Sequence, residues 1–424
     1  MSEQKKRDAS HADGSIVDVA IVGAGLVGAS LACALDALGL RTLLVEASAG
    51  GAQPAPSFDE RNLALGKASV NALEALGVWR HIRTAPEAIR RVHVSSRGDF
   101  GSVQLDAADY GLDAFGAVVI ARELGAALEA RLDELKHLQR LRPARVTAVT
   151  TSADVAMLRI QSPDGESCEI ETRLLVAADG SHSAIRESLD IAVERHDYRQ
   201  RLFVATATAE REHQGCAWER FTPDGPVAVL PLGGARLGTI CTVTAEDAER
   251  VADMDDDAYR ELLQSRFGYR LGRIGRVGQR SHYPLALIKA ERLIAERSVL
   301  VGNAAQTLHP IGAQGFNLGL RDALTLAEVL ETALRQGRQP GHADDLREYA
   351  QRRETDREET LRFSDGLSRL FAITDPTVRL ARSLGFGALN GIPGLAERLA
   401  AGAMGFRGEL PRLALGRANP AVRG

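Results

Sequence analysis

The sequence predicts an α/β protein: a parallel-sheet domain interrupted by an antiparallel-sheet domain, with a helical region at the C-terminus. Three observations carry that expectation. A glycine-punctuated strand–turn–helix–strand run opens the chain, two later apolar strands each end in glycine, and stretches alternating apolar with polar residues lie between them. The 424 residues suffice for two or three cores. Hydrophobic residues at 45% and charged residues at 25% are ordinary for a globular protein, and a net charge of −4 supplies no drive toward nucleic acid. Cys33, Cys168, Cys216 and Cys241 lie far apart with no Cys-x-x-Cys, so they read as core thiols in a reducing, cytoplasmic compartment and argue against a zinc site.

Residues 1–15 are polar and expected to be disordered. Residues 19–35 carry no charge and follow Lys5, Lys6 and Arg7, a pattern shared with signal peptides and membrane anchors. Gly23, Gly25 and Gly28 at their centre, with Asp36 and Arg41 beyond, fit a buried strand–turn–helix better. That unit begins with the β-rich run Val17–Val22, continues as a helix to about Leu38 stopped by Gly39, and returns as a strand over residues 41–45. Each glycine of the Gly-x-Gly-x-x-Gly spacing has a mechanical role. Gly23 permits a tight turn, Gly25 lets the backbone approach a pyrophosphate, and Gly28 lets helix and strand pack closely. The helix N-terminus offers free N–H groups to phosphate charge. Glu46 ends the second strand, where it can accept hydrogen bonds from ribose hydroxyls. The unit predicts an adenine dinucleotide.

Two later runs repeat this logic. "TRLLVAADGSHSAIRESL" gives a strand over residues 173–178 that ends at Asp179 and Gly180, before a helix carrying Ser183 and Arg186; Asp-Gly is also a common turn pair. "RSVLVGNAAQTLHPIGAQGFNLGLRDA" gives a strand over residues 298–301, a glycine-rich loop, and a helix opened by Gly315, Phe316 and Asn317. In this order and spacing the three motifs resemble those of the flavin-dependent aromatic hydroxylases, which are single-component monooxygenases. The resemblance implies a Rossmann-like FAD-binding domain of the glutathione-reductase type. It implies that Asn303 meets the ribityl and pyrophosphate region, and that the backbone at Gly315, Phe316 and Asn317 meets the pyrimidine edge of the isoalloxazine. A helix N-terminus there stabilises the negative charge of reduced flavin.

Most of the family has Asp where this chain has Asn303, and an amide still hydrogen-bonds a ribityl hydroxyl. Gln306 and His309 resemble the ubiquinone-biosynthesis branch, in the subgroup acting on 2-polyprenyl-6-methoxyphenol. One departure is visible: Gly312-Ala313 stands where the branch usually has Ala-Gly, which bears on how the loop is positioned. "FDERNLALGKASVNALEALGVW" implies Arg61 against the cofactor, and "ARELGAALEARL" implies a flavin contact at Arg122. A solvated cap and an amphipathic surface helix are the plain alternatives for these two.

Between the flavin motifs, "RRVHVSS", "GSVQLDA", "RLFVATATAE", "VAVLPLGG" and "RLGTICTVT" alternate with period two, as strands of an antiparallel sheet do. The expected division is an FAD-binding domain over 16–75, 120–190 and 285–345, a substrate domain over 76–119 and 191–284, and a helical region over 346–424. The substrate pocket is expected where the first two meet. Leu230, Pro231 and Leu232 are either its apolar wall or ordinary strand core, and Pro310 joins them from the flavin loop. No nucleophile–base pair or metal set appears, and the resemblance requires none: NADH or NADPH reduces the flavin, O2 reacts with it, and an electron-rich phenol is hydroxylated. "GRIGRVG" follows no strand, which fits a nicotinamide donor that docks transiently. His309 is expected either to assist proton movement or simply to pack.

From Arg362 onward nine Arg stand against four acids, interleaved with apolar residues such as Leu367, Leu370, Phe371 and Leu384. Such a stretch suits an anionic membrane surface or a protein partner, and equally a helical layer over the flavin domain. The activity implied by the resemblance is hydroxylation of a polyprenyl phenol in ubiquinone biosynthesis, peripheral to the inner membrane. The alternatives are another ring position, another aromatic substrate, or a non-hydroxylating flavoprotein of a quinone-synthesis complex.

Overall fold

The computed structural model describes residues 16–49, 61–309, 311–392, 394–406 and 408–416. Residues 1–15, where disorder is expected, and Pro310 lie outside this set. Five parallel strands form the centre of the first sheet, in the order Ser298–Leu300, Ser167–Ala177, Val17–Val22, Thr42–Val45 and Leu138–Leu141. Arg145–Thr151 and Ala156–Gln161 extend it as antiparallel strands, and Ile294–Ala295 closes one edge. The central strands are apolar without alternation because helices cover both faces of a parallel sheet. Helix Leu26–Asp36 buries every residue from Gly28 to Leu35. The long helix Gln314–Arg335 packs against it.

All five alternating stretches enter the second, nine-stranded sheet. Its order is Gln306–Thr307, Ser281–Ala290, Val193–Ala209, Arg236–Thr244, Val227–Leu232, Cys216–Phe221, Arg91–Ser96 and Ser102–Asp106, with Ile274–Val277 beside Val193–Ala209. It is antiparallel throughout except where Cys216–Phe221 runs parallel to Arg91–Ser96. One face, with Val227 and Val229, packs on Tyr259, Leu263 and Phe267 of helix Asp256–Phe267. The other, with Phe221, Leu230 and Leu232, packs on Ile311 and on Phe371 and Phe386 of the C-terminal helices. A third sheet of Asn62–Gly66, Gly116–Ile120 and Glu87–Ile89 completes the architecture.

The C-terminal helices Ala343–Ala372, Pro376–Gly391 and Leu395–Ala403 form a covering layer. Asp375 caps the second of them, its Oδ1 accepting from the Thr377 N–H at 2.8 Å. Part of the tail's positive charge is neutralised internally. Arg379 and Arg382 both pair with Asp99, and Arg382 also donates to the Leu370 and Ile373 carbonyls. The expectation of four core thiols needs one correction: Cys33, Cys216 and Cys241 are buried but Cys168 is exposed. It sits in the first half of Ser167–Ala177, which runs past the parallel core to pair only with Ala156–Gln161. Among the described residues no helix is long and apolar enough to cross a membrane.

Candidate functional site

The three N-terminal glycines are required for three different reasons. Gly23 has φ +104°, and a Cβ there would overlap the Ala178 carbonyl. A Cβ at Gly28 would run into the Gly23 carbonyl oxygen and approach the Ala178 Cβ at 3.2 Å, so helix and strand touch through it. At Gly25 the backbone is ordinary, with φ −65°, and a Cβ would meet no protein atom within 4 Å. The protein has no internal use for that glycine; it leaves room. Gly315, in the first turn of Gln314–Arg335, is open in the same way.

Glu46 and Asp179 lie against the turn that begins at Gly23. Glu46 is half-buried, with Oε2 accepting from the Ala24 N–H and Oε1 from the Ser48 N–H, each at 2.8 Å. It is thereby fixed beside the glycine turn with lone pairs to spare. Asp179 lies against Gly23, and Gly180 adopts φ +89°. The Asp179 Oδ2 accepts from the Ile185 N–H, while its buried Oδ1 has no partner among the described residues. Burial holds its carboxyl above the usual range, against the hydrogen bonds it receives from Ser183 and neighbouring N–H groups. Arg186 ties the Ser181 carbonyl to the Ala304 carbonyl, joining the second motif to the third.

In the third motif Gly302 has φ +60° and packs on Val27. A Cβ at Gly319 would sit 2.8 Å from the Val27 side chain and 3.0 Å from the Gly302 Cα, so loop and both helices meet at one point. Asn303 follows and is exposed, available to a ligand. Gly312 has φ +67°, a conformation that favours glycine, so the order Gly312-Ala313 suits the backbone of this loop. Phe316 is part-buried. Asn317 is buried, its Oδ1 accepting from the Gly66 N–H at 3.1 Å and its Nδ2 donating to the Ala64 carbonyl at 3.0 Å. It therefore sews the helix start to the third sheet.

Arg61 and Arg122 are joined through the Ala121 N–H, which donates to the Arg61 carbonyl at 2.8 Å. The Arg61 guanidinium stands over the Tyr283 ring at 5.1 Å, and Arg122 pairs with Glu123 at 2.9 Å. His309 is 1% exposed, edge-on to Tyr198 with centroids 5.0 Å apart, and its carbonyl accepts from the Ser364 hydroxyl. Burial drives its imidazole down to about 4, only partly opposed by Asp365. The ring Nε2 lies 3.4 Å from Gln200 Oε1, and its Nδ1 has no partner among the described residues. Leu230, Pro231 and Leu232 are all buried; Leu230 and Leu232 pack with Ile311 of the glycine loop, whereas alternation turns Pro231 to the opposite face with Val227 and Val229.

Sequence reading missed the group that holds the loop. Asp322 accepts from the Gly302 N–H at 3.1 Å, from Gln306 Nε2 at 2.7 Å and from Arg353 Nε at 2.7 Å. Asp356 accepts from Arg321 and Arg353, whose charges hold its carboxyl down against the opposing effect of burial. Arg357 donates to Gln306 Oε1 and to the Ala290 and Ala305 carbonyls. A cavity of about 820 Å³ is lined by Arg91, His93, Trp218 and Arg270 among others. It opens on the sheet face where Trp218 meets Phe267, opposite the face carrying Leu230, and belongs to none of the three motifs.

A dinucleotide turn, an open glycine cradle and a helix start reached from a second glycine loop define an FAD-dependent enzyme. Residues 16–364 match the family described as "FAD binding domain", and the chain belongs to that family. It is 35% identical to "Ubiquinone hydroxylase UbiL" of Rhodospirillum rubrum, over 91% of this chain and 89% of that protein. It is 28% identical to "Ubiquinone biosynthesis monooxygenase COQ6, mitochondrial" of Homo sapiens, over 81% of this chain and 82% of that one. The crystal structure of p-nitrophenol 4-monooxygenase PnpA from Pseudomonas putida DLL-E4 shares the fold, with TM-score 0.76 at 19% identity and coverage of 93% and 99%. The protein is an FAD-dependent monooxygenase, and the family's usual electron donor is NAD(P)H.

Proposed function

We propose that this enzyme hydroxylates the aromatic ring of a polyprenyl phenol in ubiquinone biosynthesis, with 2-polyprenyl-6-methoxyphenol as its substrate and NADH or NADPH and O2 as co-substrates. The observation that carries the reading is the 35% identity, across 91% of the chain, to a protein named as a ubiquinone hydroxylase. An apolar sheet face that meets the flavin loop at Ile311 supports it, because a prenylated ring needs such a wall. Bound FAD supplies O2 activation; the protein's own residues hold it and keep water out. In this reading Glu46 takes the adenosine ribose, the spaces at Gly25 and Gly315 admit pyrophosphate and ring, and Asn303 bonds the ribityl chain. Arg61 and Arg122 flank the cofactor, and His309 supports the loop by packing.

A polyprenyl phenol does not diffuse freely in water, since each CH2 buried is worth about 0.8 kcal/mol. Leu380 and Leu384 on helix Pro376–Gly391, exposed by 63% and 67%, offer the apolar face by which the enzyme meets a membrane or a lipid-carrying partner. The test is a deletion strain. Its quinone extract, weighed by mass spectrometry, should accumulate 2-polyprenyl-6-methoxyphenol, and the gene should clear it. Accumulation of a different ring-stage intermediate would move the activity to another ring position; unchanged ubiquinone would refute the reading.

A further inference from the structure

Strand Cys216–Phe221 presents alternate residues to two different surroundings. Trp218 meets Phe267 edge-on at 6.0 Å, and Arg220 Nε donates to the Arg266 carbonyl at 3.1 Å, so both face helix Asp256–Phe267. Ala217, Glu219 and Phe221 face the other way, into the apolar cluster shared with Leu230, Leu232 and Ile311. Register places Glu219 between Ala228 and Val94 on the neighbouring strands. Its side chain is half-buried. It makes no hydrogen bond or ion pair among the described residues. Burial alone pushes its carboxyl up to about 8.

A second polar group stands unsatisfied over the same face. Asn62 is 5% exposed, and neither its Oδ1 nor its Nδ2 has a partner among the described residues. Its amide packs on Gly238, where a Cβ would collide with it, and Gly238 is the register partner of Leu230. A half-buried carboxyl and a buried amide, each without a partner among the described residues, both cost stability. Both lie on the apolar face that Ile311 packs against, and both offer hydrogen bonds that an oxygen-bearing ring would take up.

We infer that Glu219 hydrogen-bonds the phenolic hydroxyl of the substrate and takes up its proton during hydroxylation, with the Asn62 amide bonding a second ring oxygen. This rests on the proposed function and adds the residues that read the ring. In the step Glu219 reacts as the carboxylate, the form that its surroundings disfavour below about pH 8: the phenol O–H bond breaks, a Glu219 O–H bond forms, and the negative charge moves from carboxylate to phenolate with no change of oxidation state. The electron-rich ring then takes one oxygen atom of O2 and gives up its ring hydrogen as a proton, while the other oxygen atom leaves as water with the two electrons that NAD(P)H supplies. The proton returns to the phenolate oxygen as product forms.

The FAD-loaded enzyme would be assayed with a short-chain probe, geranyl-6-methoxyphenol, in the presence of NADH or NADPH and O2. Glu219→Gln keeps the side-chain size. It should retain FAD and oxidise NAD(P)H, while hydroxylated product falls about 100-fold, the usual scale for a proton-transfer group, and hydrogen peroxide replaces it. The loss should fall on kcat more than on KM, and Glu219→Asp should recover part of it. In the unaltered enzyme, the flavin absorbance change on titration should show the phenol binding more tightly than its methyl ether, which lacks the proton. Wild-type coupling in Glu219→Gln, or equal binding of phenol and ether, would overturn the inference. A wild-type enzyme that hydroxylates no prenyl phenol would overturn the proposed function, and this inference with it.

Discussion

Replacing Asp322 by Asn removes one charge and no bulk, and the surroundings make that change severe. Asp322 is 2% exposed, and all three of its partners are donors: the Gly302 N–H, Gln306 Nε2 and Arg353 Nε. An amide must point its NH2 at one end or the other. At the Oδ1 position it faces Arg353; at the Oδ2 position it faces two donors at once. Among the described residues the buried group sets Arg321, Arg353 and Arg357 against Asp322 and Asp356, so one guanidinium already lacks a buried carboxylate of its own and leans on two carbonyls, Gln306 and the half-buried Glu358. The neutral amide would leave a second one unbalanced. Breaking a buried pair from one side costs about 3–5 kcal/mol. Urea unfolding should show a loss of that size, and because Gly302 precedes Asn303, FAD affinity measured by fluorescence should fall as well. Stability within about 1 kcal/mol of wild type, with unchanged FAD affinity, would refute the argument that this carboxylate fixes the loop.

Three further outcomes follow from the geometry. Gly25→Val should fold yet purify without flavin, because its Cβ occupies only the open space, whereas Gly28→Ala should lose the fold itself through the clash with the Gly23 carbonyl; circular dichroism and the flavin absorbance in the visible separate the two. His309 is held neutral to about 4 in the folded chain and titrates near 6.5 when unfolded, so between these values only the unfolded state takes the proton. Relative to His309→Phe, wild type should therefore lose stability as pH falls from about 6.5 toward 4, by up to about 3 kcal/mol, with Tyr198, Gln200 and Asp365 the groups facing the ring. If both proteins show the same acid profile, the ring is not buried neutral. Leu380→Asp with Leu384→Asp should abolish co-sedimentation with anionic liposomes while leaving FAD content and melting temperature unchanged; undiminished sedimentation would place docking elsewhere.

The local chemistry of the cofactor turn was legible because glycine spacing, strand and helix lie close together in the chain. Val17–Val22, the turn and Thr42–Val45 fall where the pattern predicts them. So do the five alternating stretches, since period two reports the sheet directly. What opposes a face is a different matter. Arg353, Asp356 and Arg357 of helix Ala343–Ala372 are buried because Arg321 and Asp322, earlier in the chain, meet them on the neighbouring helix. Spacing of Arg353, Asp356 and Arg357 at three and four residues was the available sign of a shared face. Arg382 similarly finds Asp99 from the far side of the chain. Asn317 showed its place in a helix start but not that its side chain holds Gly66. Glu219 gave no local signal beyond alternation with Trp218, because only the assembled sheet shows that its face is the apolar one.

The two-residue strand Gln306–Thr307 is the edge of the second sheet, paired with Ile288 and Lys289, and it is also part of the glycine loop that begins at Gly302. The loop is thus tied to the second sheet by main-chain ladder bonds at Ile288 and Lys289 as well as by the Asp322 carboxylate. Side chains elsewhere on that sheet can be exchanged without touching those ladder bonds. Such an arrangement separates two traits that usually conflict under selection: a lineage can drift in what it accepts without losing the reach of its oxygen chemistry.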